Sequence, residues 1–166
     1  MKLPVPFYKM VASGNDFVVV DNRQKIIRDP IAFTRKVCRQ HQGAGADGVL
    51  LFESSKTANF KMRIINLDGS EAAACGNGFR CIALYAYQVL KYSSRMTFES
   101  GSGLIEAEVG SKDIVKVQLV KPRIFEKTGE LVVQKTPFQF MFLDTGVPHV
   151  VIFTDELEKV HVAEVG

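Results

Sequence analysis

The sequence predicts an α+β fold: a strongly curved, mostly antiparallel, barrel-like sheet wrapped around one central buried helix, with a second helix outside. Three observations predict it. Residues 79–90 read FRCIALYAYQVL, apolar nearly all round, with Arg80 and Gln88 as the strongly polar exceptions. A surface helix shows a polar face, so this one should be buried on nearly all sides. From Met96 onward the chain becomes a succession of short apolar runs broken by turn residues, the pattern of strands. Before residue 79, similar runs are interrupted by a single helix signal, Asp29-Pro30.

The elements follow in order. Phe7–Val11 and Phe17–Asp21 are rich in Val and aromatics and flank a polar turn, residues 12–16, so they read as paired strands. Asp29 caps a helix whose first position is Pro30. That helix is expected to run to about His41, with Gly43 ending it. Val49–Glu53 and Asn59–Asn66 read as strands, and Asp68-Gly69-Ser70 as a turn. After the buried helix, Met96–Ser100 and Leu104–Val109 flank Gly101-Ser102-Gly103, a hairpin signal. Ile114–Val120, Leu131–Lys135, Phe138–Leu143 and His149–Phe153 continue as strands. Asp155 would cap a last helix over Asp155–Val165.

Composition narrows the function classes. The chain has 166 residues, 46% hydrophobic and 23% charged, which suits one globular domain over 1–166 with a sizeable core. The formal net charge is only +3, and the basic excess falls mostly in Arg23–Arg39, a solvated loop and helix face. Such a balance argues against nucleic acid as a partner. No uncharged apolar run reaches about 18 residues, so no membrane span is expected, and the N-terminus lacks a signal-peptide pattern. Three Cys form no disulfide framework and suit a reducing cytoplasm.

Gly43-Ala-Gly45-Ala-Asp-Gly48 matches G-x-G-x-x-G, but a helix precedes it and a strand follows. A dinucleotide site needs the reverse, so a tight helix-to-strand turn is the better reading. Cys38 and His41 have Cys-x-x-His spacing, yet Cys75 and Cys81 do not complete a paired set of zinc ligands, and no metal is expected. Cys38 and Cys81 read as small core side chains. Cys75 is different. It stands in Ala74-Cys75-Gly76-Asn77-Gly78-Phe79, just before the buried helix. N–H groups at a helix start lack internal partners and face the positive end of the dipole. A thiol there has its thiolate stabilised, and the same N–H groups can hold a carboxylate. Gly76 and Gly78 allow a ligand close approach to the backbone. Asn15 and Asn66 stand at a turn or strand end, and His149 follows Gly-Val-Pro at a strand start. No Ser-His-Asp arrangement or G-x-S-x-G elbow appears.

Five blocks carry a family resemblance. They are Lys9–Phe17 (KMVASGNDF), Gly43–Gly48 (GAGADG), Arg63–Glu71 (RIINLDGSE), Ala74–Cys81 (ACGNGFRC) and Thr145–His149 (TGVPH). In this order they resemble the N-terminal half of the diaminopimelate epimerase family. The resemblance implies two similar halves, each a curved sheet around a central helix. It also implies an isomerase that interconverts LL- and meso-diaminopimelate without pyridoxal phosphate or metal, in lysine and peptidoglycan synthesis in a bacterial-type cytoplasm. An α-proton must leave one face and return on the other, which suits two tuned thiols. By resemblance, Cys75 is one of the two bases, and Gly76 and Asn77 hold the reacting end. Asn15 and Asn66 bind substrate polar groups, and His149 tunes the thiols.

The sequence also departs from that pattern. The second catalytic Cys and a substrate-gripping Glu-Arg pair belong to a C-terminal half, and neither is found here. Val147 stands where some members have a substrate-contacting Asn. These departures predict half a site: a fragment needing a C-terminal domain, with negligible epimerase activity alone. Two other readings compete. One is a related cofactor-independent racemase or isomerase of the proline racemase or phenazine-synthesis type. The other is a non-catalytic half-domain that binds an amino acid or pairs with itself as a homodimer, through an exposed apolar face.

Overall fold

The computed structural model describes residues 4–119, 121–133, 135–145 and 147–165. The chain divides into two compact units, Met1–Leu119 and Val120–Gly166.

The first unit opens with strands β1 (Tyr8–Ala12) and β2 (Asn15–Asp21), an antiparallel hairpin. Ser13 and Gly14 make its turn, both at positive φ (51° and 79°), the combination whose twist matches paired strands. Helix α1 (Pro30–Val37) starts as the sequence predicts: the Asp29 side chain accepts from the Ala32 N–H at 3.0 Å. It stops short of the expected His41, which sits at φ 62°, a left-handed conformation that no right-handed helix continues. Strands β3 (Gly48–Glu53), β4 (Phe60–Asn66) and the short β5 (Glu71–Ala72) lead to helix α2 (Gly76–Gln88). Strands β6 (Arg95–Ser100), β7 (Gly103–Val109) and β8 (Val115–Gln118) complete the unit.

These eight strands form one sheet in the order β1-β2-β3-β4-β6-β7-β8, with β5 beside β4. Every pairing is antiparallel except β2–β3 and β4–β6. Each parallel pair is bridged by a helix, α1 for the first and α2 for the second. Both crossovers advance the same way across the sheet, but β3 and β4 run in opposite directions. A single crossover hand therefore requires the two helices on opposite faces. The core obeys this. Val18, Val20, Val49 and Leu51 pack toward Phe33 and Val37 of α1, while Phe17, Val19, Leu50 and Phe52 pack with α2. Burial on both faces explains why β2 and β3 read as unbroken apolar runs.

Helix α2 touches β1, β2, β3, β7 and β8, so both ends of the sheet meet one helix and the sheet curls around it. Its residues are buried or half-buried from Gly76 to Ala86, and only Tyr87 and Gln88 are exposed. Stacked rings strengthen this core: Phe60 lies 4.3 Å from Phe52 and 4.9 Å from Phe98, centroid to centroid. The predicted curved sheet around a central helix is the fold observed.

The second unit is a three-stranded antiparallel sheet in the order β11-β10-β9. Its strands are β9 (Arg123–Val133), β10 (Thr136–Asp144) and β11 (Pro148–Ile152). The expected strand Leu131–Lys135 is only the end of the longer β9, and Lys135 turns at φ 69°. The expected strand at Ile114–Val120 is β8, and residue 120 lies outside the described residues. The helix expected from Asp155 does not form. A 3-10 turn at Leu157–Lys159 and one turn of helix, α3 (Val162–Val165), stand there instead. Leu157 and Val162 are 67% and 69% exposed, so the segment has no packed apolar face to stabilise a longer helix. No helix among the described residues is long and apolar enough to cross a membrane.

Candidate active site

The chain leaves the sheet at Ala72 and enters α2 at Gly76. The β6–β7 turn supports this passage. Gly101 lies so close to Ala73 that a Cβ there would come within 2.7 Å of the Ala73 Cα. Cys75 is the N-cap of α2, in extended backbone, and its Sγ accepts the Gly78 N–H at 3.4 Å. The thiol thus does for this helix what Ser or Asp does elsewhere: it meets an N–H without an intrahelical partner. A second donor comes from the β1–β2 hairpin. Asn15 follows the Ser13-Gly14 turn, and its Nδ2 lies 3.9 Å from the Cys75 Sγ.

The other thiols differ. Cys38 and Cys81 are 1% and 2% exposed, whereas Cys75 is half-buried. Burial pushes both buried thiols up from 9.0 to about 11. Both are core side chains, as their sequence contexts predict. Among the described residues, no three His, Cys, Asp or Glu side chains come together in a way that could hold a metal ion.

Gly76 and Asn77 form the first turn of α2 with Cys75 as its cap. The Oδ1 of Asn77 accepts from Arg80, whose same nitrogen donates to the Ser13 hydroxyl at 3.1 Å. Arg80 therefore ties α2 to the hairpin turn that carries Asn15. Sequence reasoning assigned Arg80 no role in the site. Its signal was there: a lone charge in the apolar run 79–87. Asn66 ends β4 opposite Gly48, which in turn lies opposite Phe17, so Asn66 and Asn15 share one end of the sheet. The Asn66 amide donates to the Ser70 hydroxyl at 2.9 Å, and Ser70 donates to Asp68 at 2.6 Å, so Asn66 also braces the 68–70 turn. His149 belongs to the second unit, on β11 opposite Leu143. Its Nδ1 lies 2.6 Å from the Val147 carbonyl oxygen and 3.4 Å from the Thr145 hydroxyl.

The glycine-rich stretch 43–48 is the tight turn expected. A Cβ on Gly43 would come within 2.3 Å of the Val37 carbonyl oxygen, and one on Gly48 within 2.7 Å of that of Ile65. The loop turns carbonyls toward a cation: the Lys9 ammonium donates to Ala44 and Gly45 at 3.2 and 2.5 Å. A phosphate cradle would present N–H groups instead. Lys9 also pairs with Asp16 at 2.9 Å, and that hydrogen bond holds the Asp16 carboxyl below the usual carboxylate range.

A curved sheet wrapped around one central helix is a fold already seen in solved structures. The chain superposes on a probable proline racemase from Agrobacterium radiobacter with a TM-score of 0.71 and 12% identity, over 95% of this chain and 54% of that one. A hydroxyproline epimerase from Agrobacterium vitis gives 0.70 and 14%, over 93% and 53%. These likenesses establish the fold. Sequence then sets the family: residues 7–125 match the family described as diaminopimelate epimerase, and the chain belongs to it. It is 39% identical to the diaminopimelate epimerase of Hydrogenobaculum over 95% of its length, and 40% identical to that of Aquifex aeolicus over 96%. The chain spans 61% of the length of each of these two relatives.

Proposed function

We propose that this chain is the N-terminal half of a cofactor-independent amino-acid epimerase acting on diaminopimelate, with Cys75 as one of two proton-transfer groups. The observation that carries the reading is the Cys75 thiol at the head of α2, half-buried, with the Gly78 N–H and the Asn15 amide as donors. Donors around a sulfur stabilise its charged form, which is the base. The Cys75 thiolate takes the α-proton: an S–H bond forms as the Cα–H bond breaks. The electron pair left on the α-carbon spreads into the substrate carboxylate. Backbone N–H groups at Gly76 and Asn77, with the Asn77 side chain, meet that charge, and Asn15 and Asn66 bind polar groups of the substrate. A thiol on the opposite face returns a proton, and the configuration inverts.

Cys38 and Cys81 do not fit the second role, since both are packed in the core. The second thiol is assigned to a C-terminal domain that completes the site, and His149 to tuning the pair. The relatives' names support diaminopimelate as substrate, and a cytoplasmic enzyme of lysine biosynthesis is the setting proposed with it. The test is a substrate screen on this chain mixed with the C-terminal half of a diaminopimelate epimerase. Turnover of LL-diaminopimelate, with none of proline or 4-hydroxyproline, is expected. Turnover of the cyclic imino acids instead would overturn the assignment.

A further inference from the structure

Arg80 is the one charge in an otherwise apolar stretch of α2, and no carboxylate among the described residues pairs with it. Its partners are both neutral: the Asn77 Oδ1 and the Ser13 hydroxyl. A guanidinium carries donors only, so the atom that Asn77 turns toward it must be the carbonyl oxygen. The amide nitrogen of Asn77 then has to face the other way, and what it offers there is two N–H donors. Gly76, beside it, has room: a Cβ there would meet nothing closer than 3.8 Å, from Arg80 and Leu119.

We propose that Arg80 is a positioning residue that locks Asn77 as a hydrogen-bond donor toward a carboxylate held beside Cys75, while pinning the Ser13-Gly14 turn that carries Asn15. The proposal deepens the reading above and rests on it for the identity of the ligand. The chemistry it predicts, selection for a carboxylate at the Cys75 thiol, belongs to this chain's own residues.

The experiment is alkylation of the full chain by iodoacetate and by iodoacetamide, which differ in carrying a carboxylate or a neutral amide. The ratio of their rates at Cys75 is measured for the wild type, Arg80→Gln, Arg80→Lys, Asn77→Ala and the two double variants. Loss of a charge-assisted bond should lower the ratio about tenfold in Arg80→Gln. Adding the same change to Asn77→Ala should lower it no further, because Arg80 acts through Asn77. A role in folding alone would slow both reagents or expose all thiols, leaving the ratio unchanged. Labelling of Cys38 and Cys81 reports unfolding; if Arg80→Gln unfolds, Arg80→Lys carries the test. Lys keeps the charge but cannot span both Asn77 and Ser13, so its ratio should also fall. A ratio that Lys preserves, that no variant changes, or that falls equally with and without Asn77 would overturn the proposal. Failure of the diaminopimelate reading leaves this ratio untouched, so the two can be told apart.

Discussion

Cys75 differs from Cys38 and Cys81 by its surroundings. One caps a helix and two are packed in the core. That difference predicts reactivity: a neutral thiol reagent should label one cysteine quickly, and Cys75→Ala should abolish the fast phase. It also predicts a pH dependence. The folded chain holds the Cys38 and Cys81 protons up to about 11, whereas the unfolded chain releases them near 9.0. A raised acid in the folded state gives stability that is complete below the unfolded value and lost as pH rises through the folded one. Urea midpoints should therefore fall between pH 9.0 and about 11. Cys81→Ala should flatten that fall, and an unchanged slope would contradict the assignment.

The first turn of α2 shows how an element divides its residues between fold and site. A Cβ on Gly78 would press on the fully buried Leu50 at 3.3 Å, whereas one on Gly76 would sit at ordinary contact distance. Gly78→Ala should cost roughly 1 kcal/mol net, overpacking outweighing the better helix propensity of Ala. Gly76→Ala should leave stability within about 0.5 kcal/mol of wild type yet slow alkylation of Cys75. Thermal unfolding and labelling rates check the pair, and equal loss of stability in both would contradict the division.

Much at this scale was legible. The apolar run at 79–90 identified the central helix, because a helix without a polar face has to be enclosed. Asp29-Pro30 and Gly101-Ser102-Gly103 marked a cap and a turn whose chemistry is local. What was not legible depended on neighbours. The two parallel pairings come from crossovers, and the missing last helix from unburied Leu157 and Val162. In the site, Cys75 could be read from its position before the helix. Its pairing with Asn15 could not be read from local sequence, because the hairpin that delivers Asn15 lies sixty positions earlier.

At the scale of the molecule, both core clusters lie in the first unit, and Cys75 with Asn15, Asn66, Gly76 and Asn77 lies there too. A chain ending at Leu119 should therefore unfold cooperatively and keep a single fast-reacting thiol; rapid labelling of all three would contradict that independence. Membership of the diaminopimelate epimerase family, with 61% of the relatives' length represented, leaves the reaction to be tested on the chain itself.

The most direct measurement is deuterium uptake at the α-carbon of LL-diaminopimelate in heavy water. It should be made with the 166-residue chain alone, with a C-terminal half added, and with Cys75→Ala in the same mixture. The account predicts no uptake by the chain alone, uptake once the second half is present, and its loss in Cys75→Ala. Uptake by the mixture that survives Cys75→Ala would contradict the assignment of Cys75 as a proton-transfer group.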